Sequence, residues 1–449
     1  MSLDKERQDD WPIGSRADLL AYFRRAEKPR PEHRLGLEHE KLLFPAGGVG
    51  AVPYEGACGV AALLSRLERQ GCTAFRESPD GPVIALECGQ ATISLEPGGQ
   101  LELSGTPWRT AREAHAENVR HIRAVIGAGS ELGLRAAAIG YRPFGELDQM
   151  PWMPKARYQV MRQTLGPRGR LAFDMMLMTA TGQVSLDFAD EADCARKISA
   201  ISRAAPLMVA LYANSPIARG RLTGYASYRS RVWSEVDPPR AGYLPAAVEG
   251  RFSYEAYVEW ALDAPLLFLR RRGAYVTPGV PFRELLAHGY EGRPATQGDW
   301  VDHLSTLFPE VRLKTVLEIR GADGVGAELT GALLALWRGA LYDAQALAEV
   351  EGLLPRLTFP EHLELHETAR RDGLRGEFRG RPLAAWAAEL VEIARRGLRR
   401  LDEADLPLLD PLAEVAASGR SPSDGLVELW SRSGDPAALV DAVTLRAAP

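Results

Sequence analysis

Two carboxylates, Glu96 and Glu102, stand on short apolar runs either side of a Pro97-Gly98-Gly99 corner within Ile93–Gly105. Side chains two apart on a strand share a face, so an even separation keeps this pair together across the corner. The pattern recurs twice. Glu38 and Glu40 are two apart in Leu37-Glu38-His39-Glu40, and Glu318 and Arg320 are two apart in Leu317-Glu318-Ile319-Arg320. Each of these glutamates has apolar neighbours. Buried, unpaired carboxylates are costly or shift their pKa. Three such strands would make a poor core but a good cage for hard divalent cations, which take oxygen ligands. His39 points to the opposite face of its strand and is read as packing.

A chain of 449 residues makes one large domain or two to three ordinary ones. The net charge of -5 sets up no basic field, so no nucleic-acid partner is expected. No apolar run reaches the length of about 18 residues that spans a bilayer, so no membrane partner is expected either. Met1 to Asp10 is polar and carries no signal-peptide core. The four cysteines, Cys58, Cys72, Cys88 and Cys194, show no CxxC spacing. These features together lead to the expectation of a cytoplasmic protein with buried thiols and no supported disulfide.

The local patterns describe an α+β protein. Arg34–Phe44 reads as the first strand. Cys72–Glu77, Val83–Glu87, Thr92–Glu96 and Gln100–Leu103 follow as short strands whose tight turns favour an antiparallel meander. A long helix follows Pro107, and Asp190 caps another that runs to Ala213. Leu171–Leu177 and Gly182–Phe188 read as a strand pair. The loop-rich segment 217–250 carries Tyr225, Arg229, Arg231 and Trp233. Beyond Gly326 nearly everything reads as helix. The division expected is a catalytic part, 1–323, and a helical part, 324–449, with a soft boundary that leaves a single domain open.

No lysine follows a glycine, which excludes a P-loop. If ATP is used, metals and arginines must hold its phosphates. Arg320 beside Glu318 reads either as a structural ion pair or as a donor to a transferring phosphoryl group. Arg157 and Arg229 lie near aromatic residues and read either as surface arginines or as bidentate binders of a substrate carboxylate. His362 and His366 stand four apart among acids and read as a solvated helix face rather than a metal pair.

Several segments resemble glutamate–cysteine ligase of the plant and proteobacterial type, a member of the glutamine-synthetase-like carboxylate-amine ligases. They are Gly36–Lys41, Ser94–Gly105, Met153–Tyr158, Asp174–Met176, Gln183–Phe188, Ala213–Pro216, Arg229–Trp233, Phe308–Lys314 and Leu317–Asp323, in family order. The resemblance implies a curved, mainly antiparallel sheet lining the active site, backed by helices. It implies ATP-dependent joining of the γ-carboxylate of L-glutamate to the amine of L-cysteine through a γ-glutamyl phosphate, the first step of glutathione synthesis. By position, Glu38, Glu40, Glu96, Glu102 and Glu318 would be Mg2+ ligands and Gln183 a metal or phosphate contact. Arg157 and Arg229 would bind glutamate, and Arg320 with Glu318 would be catalytic. The partners implied are ATP, L-glutamate and L-cysteine, with the chain a monomer or homodimer. Two departures, Gly324–Glu328 and Leu266-Leu267-Phe268, border the expected acceptor pocket. They keep open a ligase for another amine, and a non-catalytic nucleotide or amino-acid binder is the further alternative. No cysteine follows Cys194, so a redox switch that needs a late cysteine, as in plant members, has no counterpart.

Overall fold

The computed structural model describes residues 11–271 and 273–446, so the polar stretch Met1–Asp10 lies outside the described residues. Nine strands form the main sheet: β1 (Leu35–Pro45), β2 (Thr73–Phe75), β3 (Ala85–Cys88), β4 (Ala91–Leu95), β5 (Leu101–Ser104), β6 (Leu134–Ala137), β7 (Thr181–Leu186), β8 (Val311–Leu313) and β9 (Leu317–Asp323). Their order is β8-β9-β7-β1-β5-β4-β3-β2, with β6 beside the later half of β1. Every pairing in it is antiparallel. The run β2 to β5 is the expected meander.

Alternation along the central strands separates a core face from a polar one. Leu35 and Leu37 of β1, Val184 and Leu186 of β7, and Leu317 and Ile319 of β9 are buried together with Ile198, Ile201 and Met208 of helix Glu191–Leu211. Each such side chain contributes about 1.5–3 kcal/mol by leaving water. That helix starts where expected, with the Asp190 carboxylate accepting the Asp193 N–H at 2.8 Å. His39 does pack on the far face: Nδ1 meets Asn118 Oδ1 at 3.0 Å, and Nε2 meets the Val325 carbonyl at 3.1 Å.

Helix Ala327–Tyr342 lies against β7, β1 and helix Ala111–Glu131, and helix Leu383–Leu401 packs on it in turn. The last two cross at a glycine pair. A Cβ on Gly339 would sit 2.3 Å from the Ala394 carbonyl oxygen, and one on Gly397 would sit 2.0 Å from the Gly339 carbonyl oxygen. Backbone meets backbone there, and no side chain fits between.

Three expectations are corrected. Leu171–Leu177 is not a strand: Ala172–Met178 is helical, and its Leu and Met residues, good helix formers, are buried. A short apolar run cannot be told from a buried helix by its periodicity. His362 and His366 are not solvated; both are buried, packed beside Tyr243. Cys72 and Cys88 are joined in a disulfide. The register that sets Thr73 opposite Glu87 continues to bring these two cysteines opposite each other, Cα atoms 4.4 Å apart. Cys58 and Cys194 remain thiols.

Gly397→Ala is expected to destabilise the chain by about 1–3 kcal/mol, because the new methyl group must push two backbones apart. Urea unfolding of the variant against the parent measures this, and an unchanged midpoint would contradict the packing.

Candidate active site

Strand register assembles the acidic face. Glu40 of β1 lies directly opposite Glu102 of β5, and Glu38 lies opposite Gln183 of β7. Glu96 follows the end of β4 at the corner. These five residues, with Arg157, Arg229 and Arg320, line one small cavity of about 80 Å³. Expected neighbours from distant parts of the chain therefore meet. Glu318 stands next to this group, opposite Ser185 of β7.

The corner is seated on the helix mistaken for a strand. A Cβ at Gly98 would fall 2.3 Å from the Leu177 carbonyl oxygen, and Gly99 takes a φ of +85°. Gln100 braces the turn: its Oε1 accepts the Gly98 N–H at 3.0 Å, while its Nε2 donates to the carbonyls of Met176 (3.2 Å) and Thr179 (2.8 Å). Glycine at 98 lets the strand end approach that helix closely enough to aim Glu96 inward.

Charge is crowded here. Burial pushes the Glu40 carboxyl well up, and Glu96 and Glu102 add to the shift, with Arg229 opposing. Burial, then the Glu102 charge, pushes Glu96 up to about 7. Its Oε1 is buried without a hydrogen bond among the described residues. Glu40 Oε2 accepts the Thr181 N–H at 3.0 Å, and Glu102 accepts the hydroxyls of Ser94 and Ser104 at 3.2 and 2.8 Å.

Glu318 differs. Burial alone would raise its pKa, but Arg312 (2.5 Å), Lys314 (3.1 Å) and Arg320 (2.7 Å) hold it well below the usual carboxylate range. Two of these cations, Arg312 and Arg320, also line the cavity. Arg312 and Lys314 were missed in the sequence as site residues; their signal was alternation, since residues 312, 314, 318 and 320 share a parity across the β8–β9 hairpin.

Arg320 sits where β9 bulges. The register shifts between Ile319 and Ala322, giving β9 one residue more than β7. The Arg320 side chain reaches Gln183 Oε1 at 2.8 Å and Glu318 Oε2 at 2.7 Å. Its carbonyl accepts a hydrogen bond from Arg229 at 2.8 Å.

Arg229 lies on the short helix Tyr228–Trp233, inside the loop-rich segment. Asp323, also missed, fixes that helix. Its carboxylate accepts the Asn214 N–H (2.8 Å), the Ser215 hydroxyl (2.6 Å) and the Ser227 hydroxyl (2.8 Å). Ser215 and Ser227 in turn accept the backbone N–H groups of Arg229 (3.1 Å) and Ser230 (3.2 Å). The motifs around Asn214, Arg229 and Asp323 are thus one hydrogen-bonded unit. Arg157 enters from helix Ala156–Leu165 and lies over the Phe268 ring, 5.6 Å from its centroid.

The donor set fits a hard divalent cation in kind. Four carboxylates line one cavity, and Glu96 Oε1 lacks a hydrogen-bond partner among the described residues. Among the described residues, no three His, Cys, Asp or Glu side chains are drawn together tightly enough to hold a metal as they stand. No helix among those residues is long and apolar enough to cross a membrane.

Comparison with known proteins supplies the family. The model of Glutamate-cysteine ligase family 2 matches residues 34–442. The chain is 38% identical over 431 residues to the chloroplastic glutamate–cysteine ligase of Nicotiana tabacum, covering 94% of this chain and 82% of that one. It is 37% identical over 431 residues to the Arabidopsis thaliana protein of the same name, with the same coverage. Among solved structures, glutamate–cysteine ligase from Francisella tularensis in complex with AMP matches with a TM-score of 0.58 at 12% identity, over 92% of this chain and 87% of that one. That likeness shows a shared fold. The plant relatives are named as chloroplastic, which contradicts the cytoplasmic expectation. A family match that spans every strand of the acidic face, joined to relatives of this identity and coverage, means that the chain belongs to glutamate–cysteine ligase family 2.

Proposed function

We propose that this chain joins the γ-carboxylate of L-glutamate to the amine of L-cysteine at the expense of ATP, through a γ-glutamyl phosphate. The observation that carries this reading is a cavity lined by four carboxylates together with Arg157, Arg229, Arg312 and Arg320. An anion cannot attack a triphosphate until charge on both is offset. Glu38, Glu40, Glu96, Glu102 and Glu318 would hold Mg2+, with Gln183 beside them. The ion would supply charge neutralisation for the phosphates when bound.

The protein's own groups do the rest. Arg229, fixed by Asp323 through Ser215 and Ser227, would bind a glutamate carboxylate with its guanidinium, and Arg157 is the second candidate for that role. Arg320 is held by Glu318 and Gln183, within reach of the charges of Glu38 and Glu40. From there its permanent charge can stabilise a phosphoryl group in transfer. Burial of the cavity helps to keep an acyl phosphate from water. Residues 1–323 would then carry the chemistry and 324–449 would support it.

A second reading keeps the same donor and a different amine. Its motivation is that Phe268, in a segment that departs from the plant pattern, lies under Arg157 at the edge of the cavity.

Phosphate release with ATP, Mg2+ and glutamate is expected to depend on added cysteine. Release no greater than without cysteine, but restored by another amine, would favour the second reading; none with any amine would reject both. Arg229→Lys is expected to raise the KM for glutamate about tenfold or more with a smaller change in kcat, because a point charge replaces a fork. An unchanged KM would move the carboxylate site elsewhere. Glu318→Gln is expected to abolish turnover and to lower the melting temperature, since Arg312, Arg320 and the half-buried Lys314 lose their shared counter-charge. Parent-like turnover in a folded variant would remove Glu318 from the site.

A further inference from the structure

Trp233 forms a wall between two cavities. One is the carboxylate cage. The other, about 900 Å³, lies among the 234–245 segment, helix Tyr254–Asp263 and helix Phe359–Asp372, and the proposed reaction makes no use of it. Its size falls in the range of roughly 300–1,000 Å³ typical of small-molecule sites. Tyr225, Trp233, Tyr243, Trp260 and Phe359 give it aromatic walls.

Most charges around it are matched. Arg231 pairs with Glu235, Arg370 with Glu367, Asp237 with Arg240 and Asp263 with Arg283. Glu310 is the exception. Among the described residues its carboxylate receives no hydrogen bond, and burial raises its pKa despite the opposing charges of Arg229, Arg320 and Arg370. A carboxylate that wants a donor and aromatic faces that attract ammonium ions define a ligand chemistry.

We propose that this cavity binds a small organic amine with an aromatic body, and that its occupancy is transmitted to Arg229. The path is short. Tyr243 OH meets His366 Nδ1 at 2.9 Å, and His366 Nε2 meets the hydroxyl of Ser230 at 3.0 Å. Ser230 is the neighbour of Arg229 on the helix that ends in Trp233. On the other side, the Glu310 carbonyl accepts the Arg320 N–H at 3.2 Å. A ligand that orders Tyr243 and Glu310 therefore acts on both cleft arginines. The transmission step rests on Arg229 as the glutamate binder; the binding step does not.

The test uses the whole chain without ATP, titrated with L-phenylalaninamide and followed by calorimetry and tryptophan fluorescence. Saturable binding is expected, and it should persist at saturating glutamate. N-acetyl-L-phenylalaninamide, which lacks the ammonium group, should not bind. Glu310→Gln should weaken binding about tenfold or more. Leu363→Trp, at a lining position that is 43% exposed, should block the cavity without disturbing the core and abolish binding. In the parent, but not in Leu363→Trp, the probe should shift the affinity for glutamate. Absence of saturable binding, displacement of the probe by glutamate, or parent-like binding in both variants would overturn the site. Binding with no shift in glutamate affinity would overturn the coupling. Failure of glutamate itself to bind would count against the proposed reaction and leave the probe measurements to decide the cavity.

Discussion

Like charges gathered on one buried sheet face are the constraint from which the rest of the architecture follows. Glu40 and Glu102 face each other across a strand pair, and Glu38 and Glu96 complete the cluster. Self-repulsion and lost hydration oppose that arrangement. The opposing terms are visible. The far side of the same strands is closely packed against helix Glu191–Leu211, and Arg312, Lys314 and Arg320 collect around Glu318 at the edge. The apolar side stabilises what the polar side costs, and the polar side is free to be chemical.

Much of this was legible in the residues. Period-two alternation gave the strands, turn residues gave the meander, and even spacing put the carboxylates on one face. Where alternation and length conflicted, reading failed. Leu171–Leu177 offered a mostly apolar run of a length either element can have, and the helix formed there is seated against the Gly98 corner. His362 and His366 looked solvated because their sequence neighbours are acidic. Their burial depends on Tyr243, more than a hundred residues away. The Cys72–Cys88 bond depended on a register that composition could not supply. Asp323 was quoted within a motif, but its partners at 214, 215 and 227 come from elsewhere in the chain. Local pattern reports which face a side chain takes; it does not report which distant group meets it.

The helical C-terminal part has a physical place in this scheme. Its first helix rests on β7 and β1, and the glycine crossing locks a second helix to that one. Helix Phe359–Asp372 contributes His366, which holds Ser230 beside Arg229. The cleft arginine is thus anchored from both the sheet and the helical part.

The irregularity in β9 has a consequence of its own. The additional residue frees the Arg320 carbonyl from the regular ladder, and it is this main-chain oxygen, rather than the guanidinium, that receives Arg229. Any amino acid at 320 offers the same oxygen. Substitution at 320 can therefore change or remove that side chain while Arg229 keeps its seat on the main chain.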